Sequence, residues 1–257
     1  MLLATDLDGT FLGGTSLHKQ QLYRLIRQNM DARLVFVTGR GLESVMPLLN
    51  DPIIPNPDYI ICDVGATIVN GHTLEPVETL QSEIEKNWPG SLKVMETLAG
   101  SDDIQHQEVP QQRRSSFYVQ SEETVAKVRE LVATLNCDVV HSAGKFLDVL
   151  PHGVNKGTSL KKLVNYLRYN PEDVLVAGDT LNDLAMYQCS FKGVVVGRSE
   201  KKLIEATSGI EGVYHANAAG AGGILEALHH FPGLVSDLEL EEVRPMENAA
   251  ANSSQLI

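Results

Sequence analysis

The chain has 257 residues, enough for one large domain or two modest ones, and its 43% hydrophobic and 21% charged residues are ordinary for a globular protein. Its net charge of −12, without a basic stripe, argues against nucleic acid and against an anionic membrane surface as partners. No window approaches the roughly 18 apolar residues of a membrane span, and Asp6 breaks the first apolar run, so we expect a cytoplasmic protein without a signal peptide.

The chain begins with the apolar run 2–4, which is followed by Asp6, Asp8 and Gly9. A short continuous apolar run is typical of a buried strand in a parallel sheet. Side chains at positions i and i+2 of extended chain lie on one side, so the two carboxylates repel each other unless a cation or a shared proton intervenes. An oxygen-preferring dication such as Mg²⁺ meets this requirement, although a turn in which an aspartate caps the next segment fits the same residues.

The stretch 6–10 (DLDGT) resembles the first motif of the haloacid-dehalogenase superfamily, whose members are mostly phosphatases and phosphomutases. The resemblance implies that Asp6 is the nucleophile that attacks phosphorus. It implies that Asp8 is the general acid/base, which protonates the leaving oxygen and later activates water. It also implies a Mg²⁺ cofactor, bound by Asp6, by the backbone carbonyl of Asp8 and by a carboxylate further along the chain.

A helix with Ser16 as its N-cap and a second strand over 32–37 complete a βαβ unit. This strand ends at the position of the superfamily's second motif, in Thr38, Gly39 and Arg40. The Thr38 hydroxyl can donate to a phosphate oxygen and Gly39 lets the backbone approach it, although a threonine at a strand end is also a common N-cap. Arg40 either reaches the phosphate or structures the loop.

A third strand is predicted over 58–62, and Asp63 follows it in a loop that contains a glycine. The superfamily has a similar loop near its active site, but a turn aspartate is the simpler interpretation of Asp63. Further on, Asn70 and Gly71 predict a hairpin with a type I′ turn.

The segment 82–152 mixes short strands with helices and differs in character from the rest of the chain. Its predicted strands cover 116–119, 137–141 and 146–150. These elements resemble the α/β cap that one class of the superfamily inserts after the second motif and that reads the leaving group. Three polar residues are candidates for bonds to sugar hydroxyls, namely Lys145, Asp148 and Arg113. Asp148 lies in an otherwise apolar strand, which a paired structural carboxylate explains nearly as well.

Lys156 precedes a helix of apolar period and occupies the place of the third motif. Its ammonium group there would stabilise the phosphate and the carboxylate cluster, whereas most lysines are simply solvated. A further strand over 174–177 leads into the stretch 178–183 (GDTLND), which matches the fourth motif.

The resemblance gives the fourth motif specific roles. It implies that Asp179 is a direct Mg²⁺ ligand, that Asp183 is a ligand or acts through water, and that Asn182 donates to phosphate or orients Asp6. A turn rich in Asp and Asn is also ordinary helix-capping chemistry. Four motifs in the correct order argue against that simpler interpretation.

Together these elements predict an α/β fold, in which a doubly wound, Rossmann-like parallel sheet of haloacid-dehalogenase type carries an inserted α+β cap domain. The predicted division is a core in two parts, 1–81 and 153–235, with a cap over 82–152. The acidic and polar segment 236–257 is predicted to be a flexible tail, because it has too little apolar surface to bury.

Within the superfamily the chain most resembles the sucrose-phosphatase branch, in its opening strand, in the residues 38–40 (TGR), in the segment 142–151 and in the motif 178–183. The resemblance implies a Mg²⁺-dependent phosphatase that hydrolyses a phosphorylated disaccharide or other glycoside through an aspartyl-phosphate. A sugar phosphomutase of the same fold and a generalist phosphatase for small metabolites remain alternatives. A non-catalytic binding protein is disfavoured, because none of the motif residues is missing.

Overall fold

The computed structural model describes residues 1–101 and 103–235. Its strands are β1 Leu2–Thr5, β2 Arg33–Val37, β3 Tyr59–Cys62, β4 Thr67–Asn70, β5 Ile104–His106, β6 Ser115–Val119, β7 Cys137–Ser142, β8 Phe146–Pro151, β9 Val174–Gly178, β10 Lys192–Gly197 and β11 Val213–Ala219. Its helices are α1 Ser16–Gln28, α2 Leu42–Leu49, α3 Glu78–Glu85, α4 Ser91–Leu98, α5 Glu122–Ala133, α6 Lys156–Tyr166, α7 Leu184–Tyr187, α8 Lys201–Thr207 and α9 Ala221–His230. The predicted tail lies outside the described residues. None of the described helices is long and apolar enough to cross a membrane.

Seven strands form the main sheet, in the order β11-β10-β9-β1-β2-β3-β4. All neighbouring strands are parallel except β3 and β4. In the register of the central strands, Thr5 of β1 lies opposite Phe36 of β2 and Ala177 of β9. Because the carboxyl ends of parallel strands meet at one edge of a sheet, the residues that follow β1, β2 and β9 are brought together there.

Helices cover both faces of the main sheet, because its central strands are apolar on both sides. On one face, Leu22 of α1 and Ile224 of α9 belong to a buried cluster with Phe36. On the other face, Leu160 of α6 belongs to a second cluster with Val35. This arrangement confirms the predicted doubly wound, Rossmann-like fold class.

A second sheet of four antiparallel strands, β5-β6-β8-β7, lies in the segment predicted as a cap. Val94 of α4 and Val128 of α5 pack with Phe117 of this sheet in a third buried cluster. The sequence does not predict β5, because its three residues are exposed or only partly buried and show no apolar alternation. The predicted boundary at 81/82 falls inside α3, whose Ile84 packs on the main sheet. The division into core and cap units stays a prediction.

The connection after β4 differs from the predicted type I′ turn. That turn requires a positive φ angle at both central residues, and the φ angle of Gly71 is not positive. Instead, Asn70 Oδ1 accepts hydrogen bonds from the backbone N–H groups of His72 and Thr73. The asparagine therefore organises a longer loop through its side chain.

The N-cap of α1 is Thr15 rather than Ser16, because the Thr15 hydroxyl oxygen accepts from the backbone N–H of His18. Thr15→Ala leaves that N–H without its partner, so we expect the free energy of unfolding to fall by about 1 kcal/mol. Ser16→Ala is the matched control and should change it by less than about 0.5 kcal/mol. Urea unfolding measures both values, and equal losses in the two variants would contradict this assignment of the cap.

Candidate active site

Residues of all four predicted motifs converge at the carboxyl edge of the main sheet. Asp6 directly follows β1, Thr38 follows β2 and Asp179 follows β9. Lys156 is the first residue of α6, and its side chain reaches the same place from the helices that pack on the sheet. Asp6, Thr38 and Asn182 line one cavity. The parallel register thus assembles side chains that lie up to 177 positions apart in the sequence, from Asp6 to the end of the fourth motif.

Lys156 is completely buried, and its three ammonium hydrogens have three acceptors. Its Nζ lies 2.7 Å from Asp6 Oδ1, 2.6 Å from Asp183 Oδ1 and 2.9 Å from Asn182 Oδ1. A buried ammonium group needs such partners, because its removal from water costs several kcal/mol. The alternative of an ordinary solvated lysine is therefore wrong.

Asp183 organises the turn that follows β9. Its second oxygen, Oδ2, accepts from the backbone N–H groups of Asp179 at 3.0 Å and of Thr180 at 3.1 Å. The hydroxyl of Thr10 donates to Asp179 Oδ1 at 3.0 Å, which joins the first motif to the fourth. The Asp179 carboxylate is thereby held beside the nucleophile candidate.

Three carboxylates form a group that fits a divalent cation. One oxygen from each of Asp6, Asp179 and Asp183 lies within 4.8 Å of the others. Such hard oxygen ligands are the ones that Mg²⁺ prefers. Both oxygens of Asp183 already accept hydrogen bonds, whereas Oδ2 of Asp6 and Oδ2 of Asp179 accept none from the described residues. This difference favours Asp6 and Asp179 as direct ligands of the cation and Asp183 as a residue that supports the site without binding the cation directly. The Asp8 carboxylate does not belong to the group.

The electrostatics of the site are dominated by burial and by the crowding of negative charge. Burial raises the pKa of Asp6 to about 7, against the opposing charge of Lys156 and with Asp183 adding to the rise. Burial and the Asp183 charge raise the pKa of Asp179 to about 6. Burial by itself lowers the pKa of Lys156, but the carboxylates of Asp183 and Asp6 outweigh it and raise that pKa. The lysine therefore stays charged, and the excess negative charge is what a bound cation would offset.

Asp8 lies at the mouth of the site in a two-bond pair with Arg40. Arg40 Nε lies 2.8 Å from Asp8 Oδ2, and Nη2 lies 2.6 Å from Oδ1. The hydrogen bonds that Arg40 donates to Asp8 raise the pKa of Arg40, whose Nη1 also donates to the backbone oxygen of Ser44. Arg40 thus structures its loop. It also lines the cavity, so a contact with phosphate stays open.

The other predicted phosphate-binding residues are Thr38, Asn182 and Gly39. Thr38 and Asn182 each keep a hydrogen-bond donor for a ligand, and Gly39 is not held by protein packing. The Thr38 oxygen accepts from the backbone N–H of Arg40 at 3.1 Å, which leaves its hydroxyl hydrogen for a ligand. Asn182 uses Oδ1 for Lys156, and no described residue accepts from its Nδ2. A Cβ atom at Gly39 would lie 3.7 Å from that Nδ2 and meet only ordinary contacts, so the glycine is not required by protein packing.

The cavity has a volume of about 320 Å³, which is at the small end of the range for ligand sites. Motif loops of the main sheet form one wall, and residues from the second sheet and from the loop between its strands β5 and β6 form the other. These second-wall residues include Gln107, Arg114, Ser142, Phe146 and Asp148. A ligand in this cavity would therefore contact the motif loops on one side and the second sheet on the other.

Of the three predicted sugar-binding residues, the structure brings only Asp148 to the cavity. Lys145 is exposed in the turn between β7 and β8, where its Nζ lies 4.7 Å from the centre of the Phe146 ring. Arg113 points to α3, where its Nε donates to Glu85 Oε1 at 2.7 Å. Neither residue is among those that line the cavity.

Sequence reasoning missed Arg114, which is buried between two carboxylates. Its Nε donates to Asp63 Oδ1 at 3.1 Å, and its Nη1 donates to Asp148 Oδ1 at 3.0 Å. Asp63 is therefore more than a turn residue. The sequence offers only a weak signal, since Arg113 and Arg114 are adjacent just before the predicted strand 116–119. Only the register of β6 against β8 decides which arginine faces inward, and it places Ser116 opposite Asp148.

The sheet order, the four motif loops at its carboxyl edge and the inserted second sheet define a protein of the haloacid-dehalogenase superfamily. Residues 1–232 match the family described as sucrose-6F-phosphate phosphohydrolase, and the chain belongs to that family. The sucrose-phosphatase of Synechocystis sp. PCC6803, solved in complex with sucrose and phosphate, is similar with a TM-score of 0.81 and 26% identity, over 90% of this chain and 97% of that one. A subclass IIB sugar phosphatase of the superfamily has a TM-score of 0.65 and 17% identity, over 91% and 99% of the two chains, and shows the fold alone.

Two curated relatives differ in how much of their length the chain covers. It is 49% identical over 232 residues to glucosylglycerol-phosphate synthase of Pseudomonas anguilliseptica, which is 90% of this chain but 31% of that protein. It is 28% identical over 239 residues to mannosylfructose-phosphate phosphatase of Agrobacterium fabrum, which is 90% of this chain and 96% of that protein. The chain thus spans about a third of the first relative and nearly all of the second.

We predict that Mg²⁺ binding to this protein weakens as the pH falls. The cation binds carboxylates without protons, and Asp6 and Asp179, with pKa values of about 7 and about 6, take up protons on acidification. The apparent affinity should therefore fall about tenfold between pH 7 and pH 6 and more steeply below, with protons released on binding. Isothermal titration in two buffers of different ionisation enthalpy measures both effects.

The matched variant for this titration is Asp179→Asn, which keeps the shape of the side chain and removes its charge. It should weaken Mg²⁺ binding strongly and make the remaining binding less dependent on pH. An affinity for Mg²⁺ that is constant from pH 5.5 to pH 8 would contradict the assignment of these carboxylates.

Proposed function

We propose that this protein is a Mg²⁺-dependent phosphatase that hydrolyses the phosphate monoester of a glycoside through an aspartyl-phosphate on Asp6. The observation that carries this proposal is the setting of the Asp6 carboxylate. One oxygen is held 2.7 Å from Lys156 Nζ, and the other accepts from no described residue and belongs to a carboxylate group that fits a cation. A carboxylate oriented in this way is placed to act as a nucleophile. Membership of the sucrose-6F-phosphate phosphohydrolase family supports the reaction class.

In the first step, Asp6 Oδ2 forms a bond to phosphorus while the bond from phosphorus to the glycoside oxygen breaks. The Thr38 hydroxyl and Asn182 Nδ2 donate to the phosphoryl oxygens. Lys156 contributes its charge rather than a hydrogen bond, because all three of its hydrogens are engaged within the protein. Asp6 and Asp179 would hold a Mg²⁺ ion, which would supply further positive charge to the site.

Asp8 carries the proton in both steps. It donates a proton to the departing glycoside oxygen, and it then takes one from the water that attacks phosphorus and releases phosphate from Asp6. The two hydrogen bonds from Arg40 occupy both carboxylate oxygens of Asp8. Protonation of the leaving group therefore requires Asp8 to leave Arg40, and its 62% exposed side chain has the room to do so.

The relatives support a phosphorylated glycoside as the substrate. The names of two of them refer to mannosylfructose phosphate and to sucrose phosphatase activity, and the name of the 49% identical relative refers to glucosylglycerol phosphate. We place glucosylglycerol phosphate first and the disaccharide phosphates second, because the higher identity extends over 90% of this chain. The three cysteines are unpaired, which supports the cytoplasmic location that we propose.

Phosphate release from a panel of phosphorylated glycosides tests this proposal. The panel contains glucosylglycerol phosphate, sucrose 6-phosphate, mannosylfructose phosphate and glucose 6-phosphate, each with Mg²⁺ and with EDTA. We expect Mg²⁺-dependent release with a preference of at least about tenfold for one glycoside. Asp6→Asn should lower kcat by at least roughly a thousandfold, because it removes the nucleophile. Asp31→Asn, which changes an exposed aspartate, should leave kcat unchanged.

Three outcomes would contradict the proposal. Similar and slow release from every ester would indicate a generalist phosphatase. Transfer of phosphate between sugar positions without release would indicate a phosphomutase. Full activity of Asp6→Asn would exclude the aspartyl-phosphate on that residue.

A further inference from the structure

A buried arginine connects a carboxylate of the main-sheet loops to a carboxylate of the second sheet. Arg114 lies just before β6, and it donates from Nε to Asp63 and from Nη1 to Asp148. The three side chains are 7%, 1% and 7% exposed in that order. Breaking a buried ionic group of this kind leaves a charge without a partner, so its members hold one another in place.

Asp63 is fastened to the loop that carries the phosphate-binding candidates. Its backbone N–H donates to the backbone oxygen of Arg40 at 2.8 Å, and that of Val64 donates to the backbone oxygen of Thr38 at 3.1 Å. Asp63 and Val64 have φ angles of 52° and 57°, a conformation that is strained for a β-branched residue and that persists only where its surroundings hold it. The two backbone hydrogen bonds provide that hold, and the Asp63 carboxylate in addition accepts from the Thr67 hydroxyl and from Arg114.

Asp148 is oriented by the same arginine and keeps one oxygen free. Its Oδ1 accepts from Arg114 and from the hydroxyl of Ser116. Among the described residues, nothing donates to Asp148 Oδ2 and nothing accepts from Arg114 Nη2, and both side chains line the cavity. One acceptor and one donor therefore remain side by side for the non-phosphate end of a ligand.

The second sheet approaches the main-sheet loops closely beside this group. A Cβ atom at Gly41 would lie 2.0 Å from the backbone oxygen of Pro110, so only glycine allows this contact. Gly41 follows the loop of Thr38 and Arg40, and Pro110 lies four residues before Arg114. The two parts of the site are thus in direct contact, and Arg114 is the charged link between them.

We propose that Arg114 is a positioning residue, which sets the distance between the sugar-facing carboxylate Asp148 and the phosphate-binding loop by binding Asp63. The inference rests on the proposed function and adds that glycoside recognition depends on Asp63, a residue that does not line the cavity. The rigid fork of a guanidinium group suits this task, because it directs two N–H groups to two carboxylates at once. A lysine ammonium lacks that geometry.

Asp63→Asn tests the proposal with two substrates. For the best glycoside phosphate of the panel, we expect KM to rise about tenfold or more, because Asp148 is no longer held at its working distance. For p-nitrophenyl phosphate, which has no sugar to position, kcat and KM should change by less than about threefold. The matched control is Glu85→Gln, which removes the carboxylate partner of the neighbouring Arg113 outside the cavity and should leave both substrates unaffected.

Arg114→Lys supplies the second variant, since it keeps the charge and removes the fork. It should reproduce the selective rise in KM, and the double variant Asp63→Asn/Arg114→Lys should be no worse than the more impaired single variant, because both act through one link. An unchanged KM for the glycoside phosphate in Asp63→Asn would overturn the proposal. Equal losses on both substrates would also overturn it, since they indicate a damaged phosphate site. Absence of turnover by the unmodified protein on any glycoside phosphate, with turnover of p-nitrophenyl phosphate, would overturn the proposed function and this inference with it.

Discussion

The burial of the Lys156 ammonium group is the interaction on which the rest of the site depends. An ammonium group without water needs three acceptors, and the protein supplies them from two separate loops as Asp6, Asp183 and Asn182. These loops meet because β1 and β9 are adjacent parallel strands in register. The order of the strands and the charge of one lysine therefore determine together where the carboxylates lie.

The same requirement explains why the site is suited to a cation and to phosphate chemistry. The site contains four carboxylates and two positive side chains, which are Asp6, Asp8, Asp179, Asp183, Lys156 and Arg40. Arg40 is committed to Asp8, so Lys156 alone faces the remaining three. The raised pKa values of Asp6 and Asp179 are the consequence of this imbalance and of burial. A divalent cation would remove the imbalance and would make the site attractive to an anionic phosphate.

Much of the main sheet and of the carboxylate site was predictable from the sequence, because short apolar runs end directly in the reactive residues. Asp6, Thr38 and Asp179 each follow a predicted strand, and the structure puts all three at one edge of the main sheet. The cavity-facing residues of the second sheet were harder to predict, because strand register and side-chain direction decide which residues face the cavity. A pair of adjacent arginines does not indicate which one is buried. The sequence analysis predicts Arg113, whereas in the structure Arg114 lines the cavity.

The burial of Asp63 could not be predicted from the sequence for a related reason. An aspartate before Val-Gly is typical of a turn, and its partner lies 51 positions away on another element. Contacts of this kind follow from packing between segments that are distant in the sequence, which local pattern does not encode. The same holds for the link between Thr10 and Asp179, whose residues belong to different motifs.

The stability of Lys156→Met, measured by urea unfolding with EDTA present, tests the central claim most directly. Loss of the buried cation leaves its carboxylates without a counter-charge, so the account predicts a variant less stable than the parent by about 3–5 kcal/mol at pH 8.5. Lys156 lowers the pKa values of Asp6 and Asp179 in the parent, so its loss raises them further above the unfolded value of 3.8. Protonation on acidification therefore stabilises the folded variant more than the folded parent, and the deficit should shrink at pH 5.5. A variant as stable as the parent, or a deficit that is the same at both pH values, would contradict the account.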